Sequence, residues 1–308
     1  MIKTILITGG TGLVGKPLVK LLVQKGYKIH LLSRGETRKN KTEAIREFKW
    51  DVYKREIDKD CIEGVDAVIH LAGEEIGAKR WTDDRKKQIV ESRTESIRLI
   101  YDLIRKNKSQ VNHVISASAV GYYGDRGNEL LTETSLPSKD FLAETCIAWE
   151  EAVDEGEKLG VRIVKLRSGI VLDKKGGVLP QLDKPLAFGL GIIPGNGSQW
   201  VSWIHLQDAL NVYTYALENE LLRGAYNMVA PEPVTLEILC RSIAESKKKS
   251  ALYLHIPEVA LKIAIGEMSL MVLESTKASS EKLDRMGYNF EYPDITKATT
   301  EIYNRSKL

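Results

Sequence analysis

The chain has 308 residues, 43% of them hydrophobic and 28% charged, which is ordinary for a soluble globular protein of one large or two unequal domains. A formal net charge of +3 gives no ground for a nucleic-acid partner, and the short basic run Lys247-Lys248-Lys249 reads as a solvated helix end. Three scattered cysteines, Cys61, Cys146 and Cys240, lack Cys-x-x-Cys spacing, which predicts reduced thiols and no zinc site.

In chain order, Ile5-Leu6-Ile7 predicts a short buried strand, and TGGTGLVG (residues 8–15) leads into a helical pattern at Leu18, Leu21 and Leu22. Strands are predicted at 27–33, 47–50 and 67–71. The stretch 82–107 lacks Pro and Gly and keeps helical spacing at Ile89, Ile97, Ile100 and Ile104. A fifth strand at 111–117 precedes a helix with the stripe Leu142, Cys146, Trp149 and Val153. Gly160 ends that helix before a sixth strand at 161–166. This alternation predicts an α/β fold: a Rossmann-type doubly wound parallel sheet. After residue 168, frequent Gly and Pro (Gly176-Gly177, Pro180, Pro185, Pro194-Gly195) mark a change of rhythm. We expect a dinucleotide-binding domain over 1–168, to which 203–228 returns, and a smaller C-terminal substrate domain over 169–308. The folded pattern starts at the first residues, so no secretion signal is expected. The least polar stretch, 256–273, contains Pro257, Glu258, Lys262 and Glu267, so a helix rather than a membrane span is expected, with a cytoplasmic location.

TGGTGLVG fits both G-x-x-G-x-x-G (Gly9, Gly12, Gly15) and G-x-G-x-x-G (Gly10, Gly12, Gly15). Such glycines permit a tight turn, a close approach of backbone to a diphosphate, and close helix–sheet packing. The helix start then offers free N–H groups to phosphate. Where NAD-binding versions place an acidic residue on the ribose, this chain has Ser33-Arg34, with Arg38 and Lys39 behind. An arginine there suits a 2′-phosphate, so NADP is the expected cofactor.

These residues resemble those of the extended (atypical) short-chain dehydrogenase/reductases. The narrower resemblance is to the epimerase-like branch, the NAD-dependent epimerase/dehydratase family, which includes proteins once labelled cell-division inhibitors. TGGTGLVG resembles the family's cofactor loop, which implies cofactor contacts from Gly9, Thr11, Gly12, Leu13, Val14 and Gly15. Asp51-Val52 resembles the pair that meets adenine, and His70-Leu71-Ala72-Gly73 the motif beside the ribose. SASAVGYYG (116–124), which holds Ser116 and Ser118, resembles the active-site segment. The run 166–171, with Gly169, resembles the segment along the nicotinamide. Trp203-Ile204-His205-Leu206-Gln207-Asp208 resembles the return into the cofactor domain, and Gly224-Ala225-Tyr226-Asn227-Met228 resembles that domain's last strand. Glu74-Glu75, Arg80-Trp81-Thr82, Phe141-Leu142-Ala143-Glu144 and Gln199-Trp200 resemble motifs of the narrower branch.

The resemblance implies a serine that binds the substrate oxygen and a Tyr-x-x-x-Lys pair on one helix face that handles the proton. Ser118 matches the serine, with Ser116 second. The helix lacks the pair: the expected positions fall at Leu142 and Cys146, and the chain's lone Tyr-x-x-x-Lys is Tyr303 to Lys307 at the C-terminus. Tyr122 or Tyr123 is the candidate substitute, with ordinary turn packing as the alternative; Glu75, Glu144 and Cys146 are further candidates. Glu75, Arg80, Trp81 and Trp200 are candidate substrate contacts, while His205 and Asp208 are expected to pin a domain junction. Two readings stay open. One is an NADP-dependent oxidoreductase or epimerase acting on a small polar, sugar-like or nucleotide-linked substrate. The other is a catalytically silent NADPH-binding regulator. Either a monomer or a homodimer is compatible, with the helix at 257–274 closing a dimer or capping the second domain.

Overall fold

The computed structural model describes residues 2–35 and 43–304; Arg38, Lys39 and Lys307 lie outside that range. In chain order the first elements are strand β1 (Thr4–Thr8), helix α1 (Gly15–Gln24), β2 (Lys28–Ser33), β3 (Ile45–Asp51), β4 (Glu56–Ile57), β5 (Ala67–His70), α2 (Asp83–Asn107), β6 (His113–Ala119) and α3 (Phe141–Asp154). With the later strands Arg162–Ser168 and Gly224–Met228 they form an eight-stranded sheet. Its order is Gly224–Met228, Arg162–Ser168, β6, β5, β1, β2, β3, β4. All its pairings are parallel except that of β3 with β4.

The strands are apolar on both faces because helices cover both. The two-residue period divides them cleanly. Ile5, Ile7, Ala67, Ile69, Ile115 and Val164 join the core under α1 and the helix Leu206–Glu218. Leu6, Val68, Val114 and Ile163 join the opposite core under α2 and α3. A third cluster, including Leu179, Trp203, Leu239, Ile243 and Ile302, belongs to the C-terminal half. Helix starts are set by side-chain caps. Thr82 accepts from the Arg85 amide (3.2 Å), and Asp140 accepts from the Ala143 amide (3.0 Å).

Three sequence expectations need adjustment. Residues 203–205 do not enter the main sheet; Trp203–His205 pairs with Ile170–Leu172, and the return is made by the helix Leu206–Glu218 and the edge strand Gly224–Met228. The strand expected at 161–166 runs on through Ser168. The helix expected at 257–274 is broken: Glu258–Ile265 stops at Gly266, whose φ of +61° ends it, and Leu270–Leu273 resumes after a short 3-10 turn. Among the described residues no helix is long and apolar enough to cross a membrane. The Asp208 carboxylate ties the helix Leu206–Glu218 to the C-terminal segment, accepting from the amides of Glu291 (2.8 Å) and Tyr292 (2.9 Å). His205 Nε2 lies 3.0 Å from Glu301 Oε2.

Candidate functional site

At the C-terminal ends of β1 and β5, the Thr8 hydroxyl accepts from the amides of Leu71 (3.0 Å) and Ala72 (3.0 Å), which ties the two following loops together. Gly9 has φ +66°, and a Cβ on it would lie 2.6 Å from the Leu71 carbonyl oxygen. A Cβ on Gly15 would lie 2.2 Å from the Gly9 carbonyl oxygen. Gly12 closes the turn by donating to that same oxygen (3.0 Å). No side chain caps α1; the Lys16 and Leu18 amides donate to the carbonyls of Gly12 (3.1 Å) and Val14 (3.0 Å), and Pro17 has no N–H, so an anion at this helix start would meet its partial positive charge more than a set of free donors.

The turn opens on a groove of about 410 Å³. Gly9, Thr11, Gly12, Ser33, Arg34, Val52, Leu71, Ala72 and Gly73, the expected cofactor contacts among its lining, stand here together with Glu75, which was expected at the substrate. Arg34 is mostly exposed and donates to Glu74 Oε1 (2.7 Å). The other Glu74 oxygen accepts from Arg85 (3.0 Å), and Arg85 followed by Arg34 holds the Glu74 carboxyl below the usual carboxylate range. A glycine turn, an uncapped helix start and a guanidinium at the rim fit a dinucleotide.

Six of the expected cofactor contacts do not line this groove: Asp51, Ser116, Leu13, Val14, Gly15 and, in the second cavity below, Gly169. Asp51 caps its own turn, accepting from the amides of Tyr53 (3.0 Å) and Lys54 (3.1 Å). Ser116 is buried inside the sheet, its hydroxyl 3.1 Å from His70 Nδ1. Leu13 turns toward Gly176, where an added Cβ would meet it at 3.1 Å, and Val14 packs on the sheet core. Gly15 serves packing rather than contact.

Beside the groove lies a second cavity of about 450 Å³. Its floor is the end of β6 (Ser118, Ala119), the 3-10 turn after it (Val120, Gly121) and the turn Ser168-Gly169. Leu142, Cys146 and Trp149 of α3 form one wall, and Ile76, Leu182, Trp200, Leu236, Met271 and Val272 close the rest. Leu142 and Cys146, standing where tyrosine and lysine were expected, are therefore cavity walls. Gly169 is at the floor, where a Cβ would strike the Ser202 carbonyl oxygen at 2.5 Å. Trp200 lines the cavity while its indole donates to Asn128 (2.7 Å). Arg80 and Trp81 do not line it. Arg80 is exposed near Gly266, and Trp81 is buried, its indole donating to the Ile76 carbonyl (3.0 Å) and its ring edge-on to Phe141. Glu75 and Glu144 are exposed.

Under the floor sits an ion pair that the sequence reading missed. Arg167 grips Glu150 through Nε to Oε1 (2.7 Å) and Nη2 to Oε2 (2.9 Å). Ser118 donates to Glu150 Oε1 (2.7 Å), so its proton is already committed rather than offered to a substrate. Tyr123, fully buried, donates to Asn227 Oδ1 (2.6 Å) and accepts from Arg167 (3.0 Å). Burial pushes its hydroxyl up to about 12. The Arg167 guanidinium lies 3.5 Å over the Tyr122 ring. Neither tyrosine lines the cavity, so neither is placed as a proton donor there. Burial alone would raise the Glu150 carboxyl; Arg167, Ser118 and Lys165 together hold it below its ordinary value.

Two charged groups do line the cavity, and both were missed. Arg93 of α2 is 7% exposed and, among the described residues, pairs with no carboxylate. It donates to the carbonyls of Ile89 (2.8 Å) and Glu74 (3.1 Å), its Nε is unsatisfied, and it lies 5.0 Å over the Trp149 ring. Burial lowers it to about 10. A Cβ on Gly73 would meet its Cζ at 2.9 Å, so Arg93 forms part of the partition between groove and cavity. The sequence carried a signal: Arg93 falls four residues from both Ile89 and Ile97, on the apolar stripe. The second group is Glu274, from the C-terminal segment.

Residues 5–228 match the NAD dependent epimerase/dehydratase family, and residues 256–302 match DUF1731, a domain of unknown function. The epimerase family protein YfhF of Bacillus subtilis is 35% identical over 299 residues, covering 97% of each chain. The chloroplastic SDR39U1 homolog of Arabidopsis thaliana is 33% identical over 302 residues, covering 97% of this chain and 86% of its own. The crystal structure of human epimerase family protein SDR39U1 with NADPH superposes with a TM-score of 0.83 at 26% identity, covering 98% of this chain and 99% of that one. With its glycine turn, sheet order and near-complete match to these relatives, the chain belongs to the NAD-dependent epimerase/dehydratase family.

Proposed function

We propose that this protein is an NADP(H)-dependent oxidoreductase or epimerase whose substrate is a largely apolar molecule carrying an oxygen group. The observation that carries the reading is the second cavity, apolar on most sides and separated from the groove by Arg93 and Gly73. Its size suits a small ligand. Its walls favour an apolar body over the sugar-like or nucleotide-linked substrate expected from the sequence. A phosphate-rich ligand would find Arg93 as its one cationic partner among the lining residues.

The groove residues would hold the cofactor: the turn at Gly9 and Gly12 with the start of α1 at the diphosphate, Val52 at the base, and Arg34 at a 2′-phosphate. When bound, the nicotinamide supplies two-electron redox chemistry. The chain's own part is to exclude water with the Leu142, Trp200 and Met271 walls and to offer Arg93 as a hydrogen-bond donor near the partition. NADPH in the human relative supports the choice of NADP. Cytoplasmic location and the division at residue 168 belong to the same proposal.

The competing reading, a silent NADPH-binding regulator, draws support from Ser118 and Tyr123 being locked onto Glu150 and Asn227. Calorimetry with NADPH, NADP, NADH and NAD tests the cofactor. We expect NADPH to bind tightest, and Arg34→Ala to weaken it by roughly 10-fold or more through loss of a charge-assisted contact. Equal affinity for NADH and NADPH, or an indifferent Arg34→Ala, refutes the assignment.

A further inference from the structure

Among the described residues that line the cavity, Glu274 is the one with a carboxyl group. The chain on either side is fastened. The Glu274 amide donates to the Leu270 carbonyl (3.1 Å), ending the helical turn Leu270–Leu273. Next to it, the Ser275 hydroxyl donates to the Gly127 carbonyl (2.7 Å) and accepts from the Trp200 amide (3.0 Å). The Thr276 amide donates to the Trp200 carbonyl (3.0 Å). A rigid connection thus delivers the carboxyl into the cavity.

Once there it has no hydrogen-bond or ion-pair partner among the described residues. The charged and titratable groups around it come from three elements. Asp140 caps α3, Asp125 lies in the loop after β6, and Arg93 and the Cys146 thiol stand on the walls formed by α2 and α3. Burial, then Asp140 and Asp125, push the Glu274 carboxyl up to about 8. Desolvation and like charges both disfavour the ionised form, and nothing nearby compensates. A carboxyl that gains or loses its proton near neutrality is suited to acid–base work.

We propose that Glu274 is the proton-transfer residue of this cavity, giving a proton to and taking it from the oxygen of the substrate in place of the absent tyrosine–lysine pair. The inference rests on the oxidoreductase reading above. In the reducing direction the carboxyl O–H bond breaks, its electron pair stays on the carboxylate, and a new O–H bond forms on the substrate oxygen. The carbon gains its hydride from the reduced nicotinamide cofactor, which is the two-electron reductant. Water reprotonates the carboxylate. Oxidation of an alcohol reverses each step.

The test uses the full-length protein and Glu274→Gln. That variant removes an unpartnered carboxyl and should fold like the parent. Infrared difference spectra, parent minus Glu274→Gln, are followed from acid to alkaline pH with NADPH bound and without it. The expected result is a protonated-carboxyl band that disappears with a midpoint near pH 8. A midpoint in the ordinary carboxylate range, about 4 to 5, overturns the proposal. NADPH-dependent reduction of a panel of aromatic and medium-chain aldehydes and ketones gives the second readout. Glu274→Gln should lower kcat roughly 100-fold or more while leaving NADPH affinity and KM little changed. A kcat within about threefold of the parent overturns the proposal, whatever the infrared midpoint. Failure of the parent to bind any dinucleotide refutes the oxidoreductase reading instead, and the infrared midpoint alone then judges whether Glu274 holds a proton at neutral pH.

Discussion

Glu150→Gln should be among the most damaging conservative substitutions in this chain. The Glu150 carboxylate accepts two hydrogen bonds from Arg167 and one from Ser118, all at 2.7–2.9 Å. Both charged side chains are at most 8% exposed. Removing one partner of such a pair leaves an uncompensated buried charge, at about 3–5 kcal/mol. Ser118→Ala removes one hydrogen bond to a charged group and should cost less, about 1.5–3 kcal/mol. Arg167→Met in the Glu150→Gln background should lose less than the sum of the singles, since the second change relieves the stranded charge; a coupling of about 0.5–3 kcal/mol is expected. Urea unfolding followed by tryptophan fluorescence measures all of these. The pH dependence gives a second check. The folded-state value of Glu150 lies below its unfolded value, so its stabilisation is complete above the unfolded value of about 4.3. It is lost as pH falls through the folded value. The gap between parent and Glu150→Gln should therefore close in acid. A loss below about 1 kcal/mol at neutral pH, or a gap that persists unchanged in acid, refutes the view that Ser118 and Glu150 are a structural unit.

Gly15→Ala should abolish dinucleotide binding and destabilise the fold, because its Cβ would fall 2.2 Å from the Gly9 carbonyl oxygen; native affinity by calorimetry would contradict the tight packing of the turn. Tyr123→Phe should cost about 1–3 kcal/mol by stranding Asn227 Oδ1 and one Arg167 N–H, with NADPH affinity unchanged. Unaltered stability with a large fall in kcat would instead return Tyr123 to the chemistry.

Local and periodic features of the site were legible in the sequence. The glycine turn, the strand-helix alternation and Arg34 depend on residues close in the chain, and each stands where its pattern indicated. The missed features depend on contacts between distant segments. Glu150 and Arg167 are 17 residues apart and meet because α3 and the strand Arg162–Ser168 pack face to face. Glu274 enters from a segment about 120 residues beyond α3, and no periodicity in that stretch marks it as a cavity wall. SASAVGYYG was correctly placed at the end of a central strand, but its hydroxyls were assigned by analogy. Ser118 and Tyr123 face the buried ion pair, while backbone and small side chains of Ala119, Val120 and Gly121 face the cavity.

Arg93 stands beside Cys146, the position at which the resemblance implied a lysine. Cys146, where the lysine would stand, is buried beside the Arg93 guanidinium closely enough for the cation to pull the thiol down, although burial and Glu150 keep it up near 12. An ammonium in that place would put two cations in one apolar wall, with no free carboxylate to separate them. Glu150 is already held by Arg167, and Glu274 favours its neutral form. Cys146→Lys should therefore destabilise the protein by more than about 3 kcal/mol, the scale of an uncompensated buried charge. Adding Arg93→Met removes the like charge, so the double variant should be more stable than the sum of the two singles by about 0.5–3 kcal/mol. The four-variant urea series reads this coupling directly. Simple additivity, or a Cys146→Lys protein as stable as the parent, would mean that Arg93 leaves room for a lysine and does not account for its absence. Favourable coupling would mean that Arg93 on α2 already supplies the buried cation of this wall and so leaves no place for a second one on α3.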